Sequence, residues 1–302
     1  MSDPSPAYLA LYRTGELARR RRRLEQHHAA CTLCPRRCST DRRREPGRIC
    51  GIGARAVVAS AGPHFGEEAP ITGRRGSGTI FFSGCNLRCI FCQNHDISHG
   101  RAGRELTAAE LATVMLNLQQ TGCHNINLVT PSHVVPQIVA ALELAAARGL
   151  NLPLVYNTGG YDSLETLGEL EGIVDIYMPD LKYASEEVAG RLSGAPDYPA
   201  VARTALREMH RQVGDLVTDA AGVARRGLLV RHLVLPGDAA GSAENMRFLA
   251  DELSPDTAVN VMAQYRPLYR AGEHPDIDRP LRGEEYEQAR EAARRAGLHR
   301  FY

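Results

Sequence analysis

Along most of the chain, short runs of β-branched and aromatic residues take turns with amphipathic stretches of helical period. Thr79-Ile-Phe-Phe-Ser-Gly84 reads as a buried strand that ends at a glycine. Thr107-Ala-Ala-Glu110 then forms a capping box, and the amphipathic pattern behind it runs to Gly122. The same order recurs five times: strand 125–130 with helix 134–148, strand 152–157 with helix 163–170, strand 173–178 with helices 185–192 and 199–213, strand 227–234 with helix 243–253, and strand 258–263 with helix 283–296. Strands separated by helices predict βαβ units and a parallel α/β sheet. Six units are too few for a closed eight-stranded barrel, which leaves an open partial barrel or a doubly wound sheet. In either, chemistry belongs at the C-terminal ends of the strands.

Composition changes this picture little. The 302 residues are 43% apolar and 24% charged, ordinary for a globular protein. No apolar run approaches the ~20 residues of a membrane span. The N-terminal segment lacks the pattern of a secretory signal, so a cytoplasmic location is expected. Charge is more informative. The net value of +1 hides a basic start: residues 1–50 carry 12 Arg against 5 acids, including the unbroken run Arg19 to Arg23. No aromatic residue interleaves with that run as a base-stacking surface would need, so it is read as the solvated face of an N-terminal helix, without a nucleic-acid partner. Of 36 basic residues, only Lys182 is a lysine. A chain so biased toward arginine keeps a lysine where a compact ammonium fits and a planar fork does not.

The eight cysteines fall into two groups and a singleton. Cys85, Cys89 and Cys92 form a C-x3-C-x2-C loop directly after the first expected strand. Three thiolates can hold a cubane that keeps one iron without a protein ligand; a zinc knuckle with a distant fourth ligand has the same spacing. Cys31, Cys34, Cys38 and Cys50 lie within 20 residues, in a segment rich in Arg, Pro and Gly and poor in apolar residues. Metal ligation would supply the folding energy that such a segment lacks. Four protein ligands would close the site, which suits a structural or electron-relay role for zinc or an auxiliary iron–sulfur cluster. Cys123 is read as a buried, inert thiol.

Polar residues gather where the strands should end. Thr130, Ser132 and His133 follow the second, His133 either as a ligand or proton donor or as a helix cap. Asn157, Thr158 and two glycines follow the third, and Asp180-Leu-Lys182 the fourth. On the fifth, Arg231 and His232 alternate, so only one faces the interior, and an interior arginine must be paired.

The stretch GCNLRCIFCQNHDIS, with Phe91 ahead of its last cysteine, resembles the cluster loop of radical S-adenosylmethionine (SAM) enzymes. Within that superfamily, the chain from about residue 31 to 302 resembles the homologues of pyruvate formate-lyase activating enzymes that carry extra N-terminal cysteines. The resemblance implies a partial six-stranded (β/α)6 TIM-like barrel over 76–302, preceded by an N-terminal extension over 1–75 with the four-cysteine site. It implies a 4Fe–4S cluster on Cys85, Cys89 and Cys92, with SAM chelating the fourth iron. The reduced cluster would cleave SAM to methionine and a 5′-deoxyadenosyl radical that abstracts hydrogen from a protein or peptide, as in a glycyl-radical activase. A flavodoxin or ferredoxin would be the reductant. The resemblance places Asn157, Thr158, Asp180 and Lys182 near SAM; Phe91 would offer an aromatic face beside the cluster loop, and an interior Arg231 would pair with the SAM carboxylate or with Asp180. Two departures stand out: the family's Gly-Gly-Glu stretch is absent after the second strand, where the Thr130 and Ser132 hydroxyls would substitute, and no histidine stands at the family's position after the sixth, His274 lying farther along. Two other functions fit the same residues: a zinc protein binding nucleic acid or a partner through its basic N-terminus, and a radical SAM enzyme acting on a small molecule.

Overall fold

Every apolar run picked out above becomes a strand. The computed structural model describes residues 5–302, and among them nine strands form one sheet: β1 (Ala56–His64), β2 (Ser77–Phe82), β3 (Arg104–Leu106), β4 (Ile126–Val129), β5 (Leu154–Thr158), β6 (Ile176–Pro179), β7 (Val217–Thr218), β8 (Ala224–Leu233) and β9 (Ala258–Met262). The six expected strands are β2, β4, β5, β6, β8 and β9. They pair parallel in chain order, each crossing to the next through helix. The expected capping box at Thr107 and Glu110 starts the helix Ala108–Gln120. The sheet is not closed, since β9 pairs with β8 and not with β2.

β1, β3 and β7 are antiparallel additions that the hydrophobic pattern does not announce. β1 pairs with β2 and carries β3 on its other edge, while β7 folds back on β8. The sequence of β1, AVVASAGPH, is dominated by small residues and has no sustained alternation of large apolar ones. β1, within 1–75, pairs with β2, within 76–302. Residues 65–76 also return into the fold. Ile71, in the short helix Ala69–Thr72, is fully buried with Val155, Ile176, Met178 and Leu229.

The helices Tyr8–Arg13 and Glu16–Gln26 lie against the helix Val135–Ala147, with Leu17 and Leu24 fully buried. Burial of two leucines contributes about 1.5–3 kcal/mol each. The arginine run is less free than a solvated face. Arg21 pairs with Glu143 at 2.6 Å, Arg23 with Glu169 at 2.8 Å, and Arg20 donates to the Glu169 carbonyl at 3.0 Å. These contacts dock the helix on the helices of the parallel unit. Among the described residues, no helix is long and apolar enough to cross a membrane.

Candidate functional site

β2 hands the chain to the three-cysteine loop through Gly84, whose φ is +79°. A Cβ there would run into the carbonyl oxygen of Cys50, so both the angle and the space require glycine. In the loop, the Leu87 N–H points at Cys85 Sγ at 3.3 Å, and the Ser193 hydroxyl donates to Cys89 Sγ at 3.1 Å. The Ser98 hydroxyl lies 3.2 Å from Cys92 Sγ, and the Asn94 N–H faces the same sulfur. The three sulfurs are within electrostatic reach of one another. Loss of water raises the Cys85 and Cys92 thiols above their ordinary pKa, so a thiolate form needs positive charge beside it. The Lys182 ammonium is within electrostatic reach of both Cys89 and Cys92. Donors aimed at sulfur and a neighbouring cation fit an anionic thiolate-bound cluster. Among the described residues, no three His, Cys, Asp or Glu side chains converge on a single-ion site. Phe91, ahead of the last cysteine, is buried edge-on against Tyr183 and Tyr265, with ring centroids 6.4 and 5.8 Å away.

Lys182 stands at the C-terminal end of β6. Its Nζ is 2.6 Å from Asp180 Oδ2. Burial works against the ammonium, but the charges of Asp180 and Cys89 outweigh it, and the pKa lies above the ordinary lysine value. The backbone is fixed with equal care. The Lys182 N–H donates to the Tyr198 hydroxyl at 2.9 Å, and that oxygen lies 3.0 Å from the Gly159 carbonyl and 2.9 Å from that of Asp180. Gly160, at φ +78°, passes so close to the Asp180 carbonyl that a Cβ would collide with it. The loops after β5 and β6 are thereby locked together.

Arg231 and His232 divide as the strand alternation requires. His232 turns to the Leu181 carbonyl at 2.7 Å and the Ser242 hydroxyl at 2.9 Å. Arg231 faces the other way, 3.4 Å from Asn157 Oδ1 and 4.0 Å from Asp180. Its nearest carboxylates were not foreseen: Glu68 at 3.3 Å and Glu67 at 3.6 Å, with side chains 2% and 7% exposed. Asn127 on β4 donates to Glu67 at 3.2 Å, and Asn260 on β9 donates to Glu68 at 2.7 Å. Burial pushes the Glu67 carboxyl above its usual range, despite the opposing charge of Arg231. Three buried atoms here, Glu68 Oε2, Asn127 Oδ1 and Arg231 Nε, have no hydrogen-bond partner. This polar floor retains unused capacity to bind. The only sequence signal for it was a pair of adjacent acids in a Gly- and Pro-flanked loop, ahead of the first expected strand.

Asn157, Asp180, Lys182 and Arg231 are thus brought together. Thr130 sits at the end of β4 with φ +59°, its N–H on the Asn157 carbonyl at 2.9 Å. Ser132 and Thr158 are turned elsewhere. Their hydroxyls meet at 3.0 Å, and Thr158 donates to Asp162 at 2.6 Å, in a buried network with Tyr156. His133 is not the cap of the following helix, whose N-cap is Val134, and its Nδ1 is buried without a hydrogen-bond partner. Its Nε2 lies 2.8 Å from the Ser83 carbonyl, and full burial depresses its pKa to about 3, so the ring is neutral. Cys123 is buried.

Comparison with known proteins places these features in context. The family model of the radical SAM superfamily matches residues 79–223, from β2 to the residue before β8. An uncharacterized protein of Methanocaldococcus jannaschii is 31% identical over 279 residues, which cover 90% of this chain and 76% of that protein. A pyruvate formate-lyase-activating enzyme of Clostridium pasteurianum is 25% identical over 177 residues, 57% of this chain and 67% of that enzyme.

Proposed function

We propose that this chain, which belongs to the radical SAM superfamily, is an enzyme that abstracts hydrogen from a protein or peptide, with Cys85, Cys89 and Cys92 holding a 4Fe–4S cluster. When bound, the cluster supplies the one-electron reductive cleavage of SAM that starts hydrogen abstraction. The observation that carries the reading is the position of Lys182. One ammonium lies within electrostatic reach of two cluster-loop sulfurs and pairs with Asp180, which is itself 4.0 Å from Arg231, so a chain of charged groups links the cysteine loop to the polar floor. In this reading Lys182 receives the SAM carboxylate and Asp180 its ammonium or a ribose hydroxyl. Asn157 and Arg231 border the same ligand. Ser193 and Ser98 hold the thiolates of Cys89 and Cys92 by donating to sulfur.

The six parallel strands are read as an open (β/α)6 barrel. β4 and β9 are four strand spacings apart, about 19 Å in a flat sheet. Contacts from both to adjacent glutamates support a sheet that curls. In this reading the unclosed side of the sheet, between β9 and the β1–β3 addition on β2, gives a polypeptide loop lateral access, and the likeness to an activating enzyme supports a macromolecular substrate. A flavodoxin or ferredoxin as electron donor belongs to the same proposal.

The test uses the anaerobically reconstituted protein with SAM and a reductant. 5′-Deoxyadenosine should form, and Cys85→Ala, Cys89→Ala or Cys92→Ala should each abolish it. Unchanged formation in any one variant overturns the cluster assignment. For the substrate, deuterium should reach 5′-deoxyadenosine from a deuterated protein fraction. Transfer only from the low-molecular-weight fraction would move the assignment to a small molecule.

A further inference from the structure

The four N-terminal cysteines are drawn into one place by a segment that has almost no apolar core of its own. Cys31 and Cys38 are within hydrogen-bond reach of each other, and Cys34 is within electrostatic reach of Cys31 and Cys50. Cys31, Cys34 and Cys50 are buried. Three of the sulfurs share one local geometry: each faces the backbone N–H two residues on, from Leu33 to Cys31, Arg36 to Cys34 and Thr40 to Cys38. Side chains add further donors. The Thr40 hydroxyl lies 3.5 Å from Cys38 Sγ, and the Asn86 and Arg42 side chains lie near Cys34 and Cys31. Donors aimed at sulfur suit metal-bound thiolates, whereas burial alone raises the Cys31 and Cys34 thiols. The same N–H pattern recurs at Cys85 with Leu87 and at Cys92 with Asn94. Cys123 has neither a partner cysteine nor an N–H from two residues on.

This segment also grips the loop of the other cysteine group. The Arg36 guanidinium donates to the carbonyls of Asn86 at 2.9 Å, Leu87 at 3.3 Å and Ser193 at 3.0 Å. Arg88 reaches back to the Ile49 carbonyl at 3.2 Å, and the Cys50 carbonyl packs on Gly84. Arg42, 2% exposed, closes the layer with bonds to the carbonyls of Ile52, Gly53 and His133 at 3.0, 2.9 and 2.6 Å. Such a buried cation holds its place only if the backbone around it is fixed.

We propose that Cys31, Cys34, Cys38 and Cys50 bind one iron–sulfur cluster, and that this centre braces the loop of Cys85, Cys89 and Cys92. The metal half stands on its own residues; the brace rests on the cluster assignment above. A zinc ion also takes four thiolates, but among the described residues no three His, Cys, Asp or Glu side chains converge on a single-ion site, so the cluster is the occupant proposed.

The metal half is tested in the full-length chain with Cys85, Cys89 and Cys92 all changed to serine, so that only the N-terminal group can retain metal. Iron, sulfide and a broad band near ~400 nm are expected; zinc without visible absorbance overturns the cluster. Adding Cys31→Ser, Cys38→Ser or Cys50→Ser should remove the metal, and Cys123→Ser should leave it. Neither metal in the triple variant, or retention after any of those changes, overturns the site. If the triple variant does not fold, native alkylation of the wild-type chain replaces it. Cys31, Cys34, Cys38 and Cys50 should then become reactive together as a chelator withdraws metal, and independent reactivity overturns the site. The brace is tested with Cys38→Ser alone. Loss to a chelator of the SAM-responsive cluster signal should be roughly tenfold faster than in wild type or Cys123→Ser, the scale of outer-shell effects on metal affinity. An unchanged rate in a variant that has lost the N-terminal metal overturns the brace and leaves both metal assignments intact.

Discussion

Replacing Arg231 by methionine keeps an apolar stem and removes a buried cation. The guanidinium lies 3.3 Å from Glu68, 3.6 Å from Glu67 and 4.0 Å from Asp180. At an effective dielectric of ~20, each distance corresponds to about 4–5 kcal/mol of attraction before desolvation. Most of that offsets the cost of taking the charges out of water, so the sum is not the pair's net contribution. The variant's problem is different: it leaves carboxylates buried with no cation, which costs about 3–5 kcal/mol in comparable buried pairs. At about 2–4 °C per kcal/mol, Tm should fall by roughly 6–20 °C near pH 7.5. The loss should also depend on pH. Burial already holds the Glu67 carboxyl above its usual range, and removing Arg231 removes the charge that opposes this shift. A carboxyl whose folded pKa exceeds its unfolded value takes up protons on folding, so its contribution falls as pH rises through that interval. The deficit of Arg231→Met should therefore shrink from pH 8 toward pH 5. Adding Glu68→Gln should recover part of it, because one uncompensated charge disappears. The assay is thermal unfolding by circular dichroism under anaerobic conditions, at matched metal content. A deficit below about 1 kcal/mol, flat with pH and unrelieved by Glu68→Gln, would refute the electrostatic account of the floor.

Three further outcomes are expected. Lys182→Arg keeps the charge but replaces a compact ammonium with a larger fork; SAM affinity should weaken about tenfold, near 1.4 kcal/mol, with stability little changed, and wild-type affinity in equilibrium binding would end the assignment. Gly160→Ala forces a Cβ into the Asp180 carbonyl at φ +78°; it should lower the urea midpoint by an amount equivalent to more than about 1 kcal/mol and reduce SAM binding with it, whereas a neutral result would mean that the two loops are not locked. His133 is held neutral with a pKa of about 3, below the unfolded value near 6.5; the unfolded chain gains the proton first, so stability is lost as pH falls below ~6.5, by about 2 kcal/mol between pH 7 and 5. His133→Gln should flatten that part of the urea-midpoint profile, and an unaltered slope would show that another group controls it.

The features legible in the sequence are those carried by neighbours along the chain. Six parallel strands could be placed because a buried strand and its following helix each advertise their period within a dozen residues. Cysteine spacing located the loop at the end of β2. A two-residue repeat put Asp180 and Lys182 on one face and set Arg231 and His232 on opposite ones. No local pattern could show where distant segments meet. Glu68 lies beside Asn260, 192 positions along the chain, only because residues 65–76 re-enter the sheet. β1 joins that sheet on backbone pairing with β2 rather than on an apolar stripe. Ser132 and Thr158 stand at strand ends, as the sequence implies, yet a buried Asp162 claims the Thr158 hydroxyl and, through it, that of Ser132. The arginine run looks like a solvated face until Glu143 and Glu169 arrive from other helices. In each case a hydrogen bond or ion pair chose among side-chain directions that the backbone alone left open. Its free energy depends on burial, and burial exists only once the sheet and its returning loop have closed around the group.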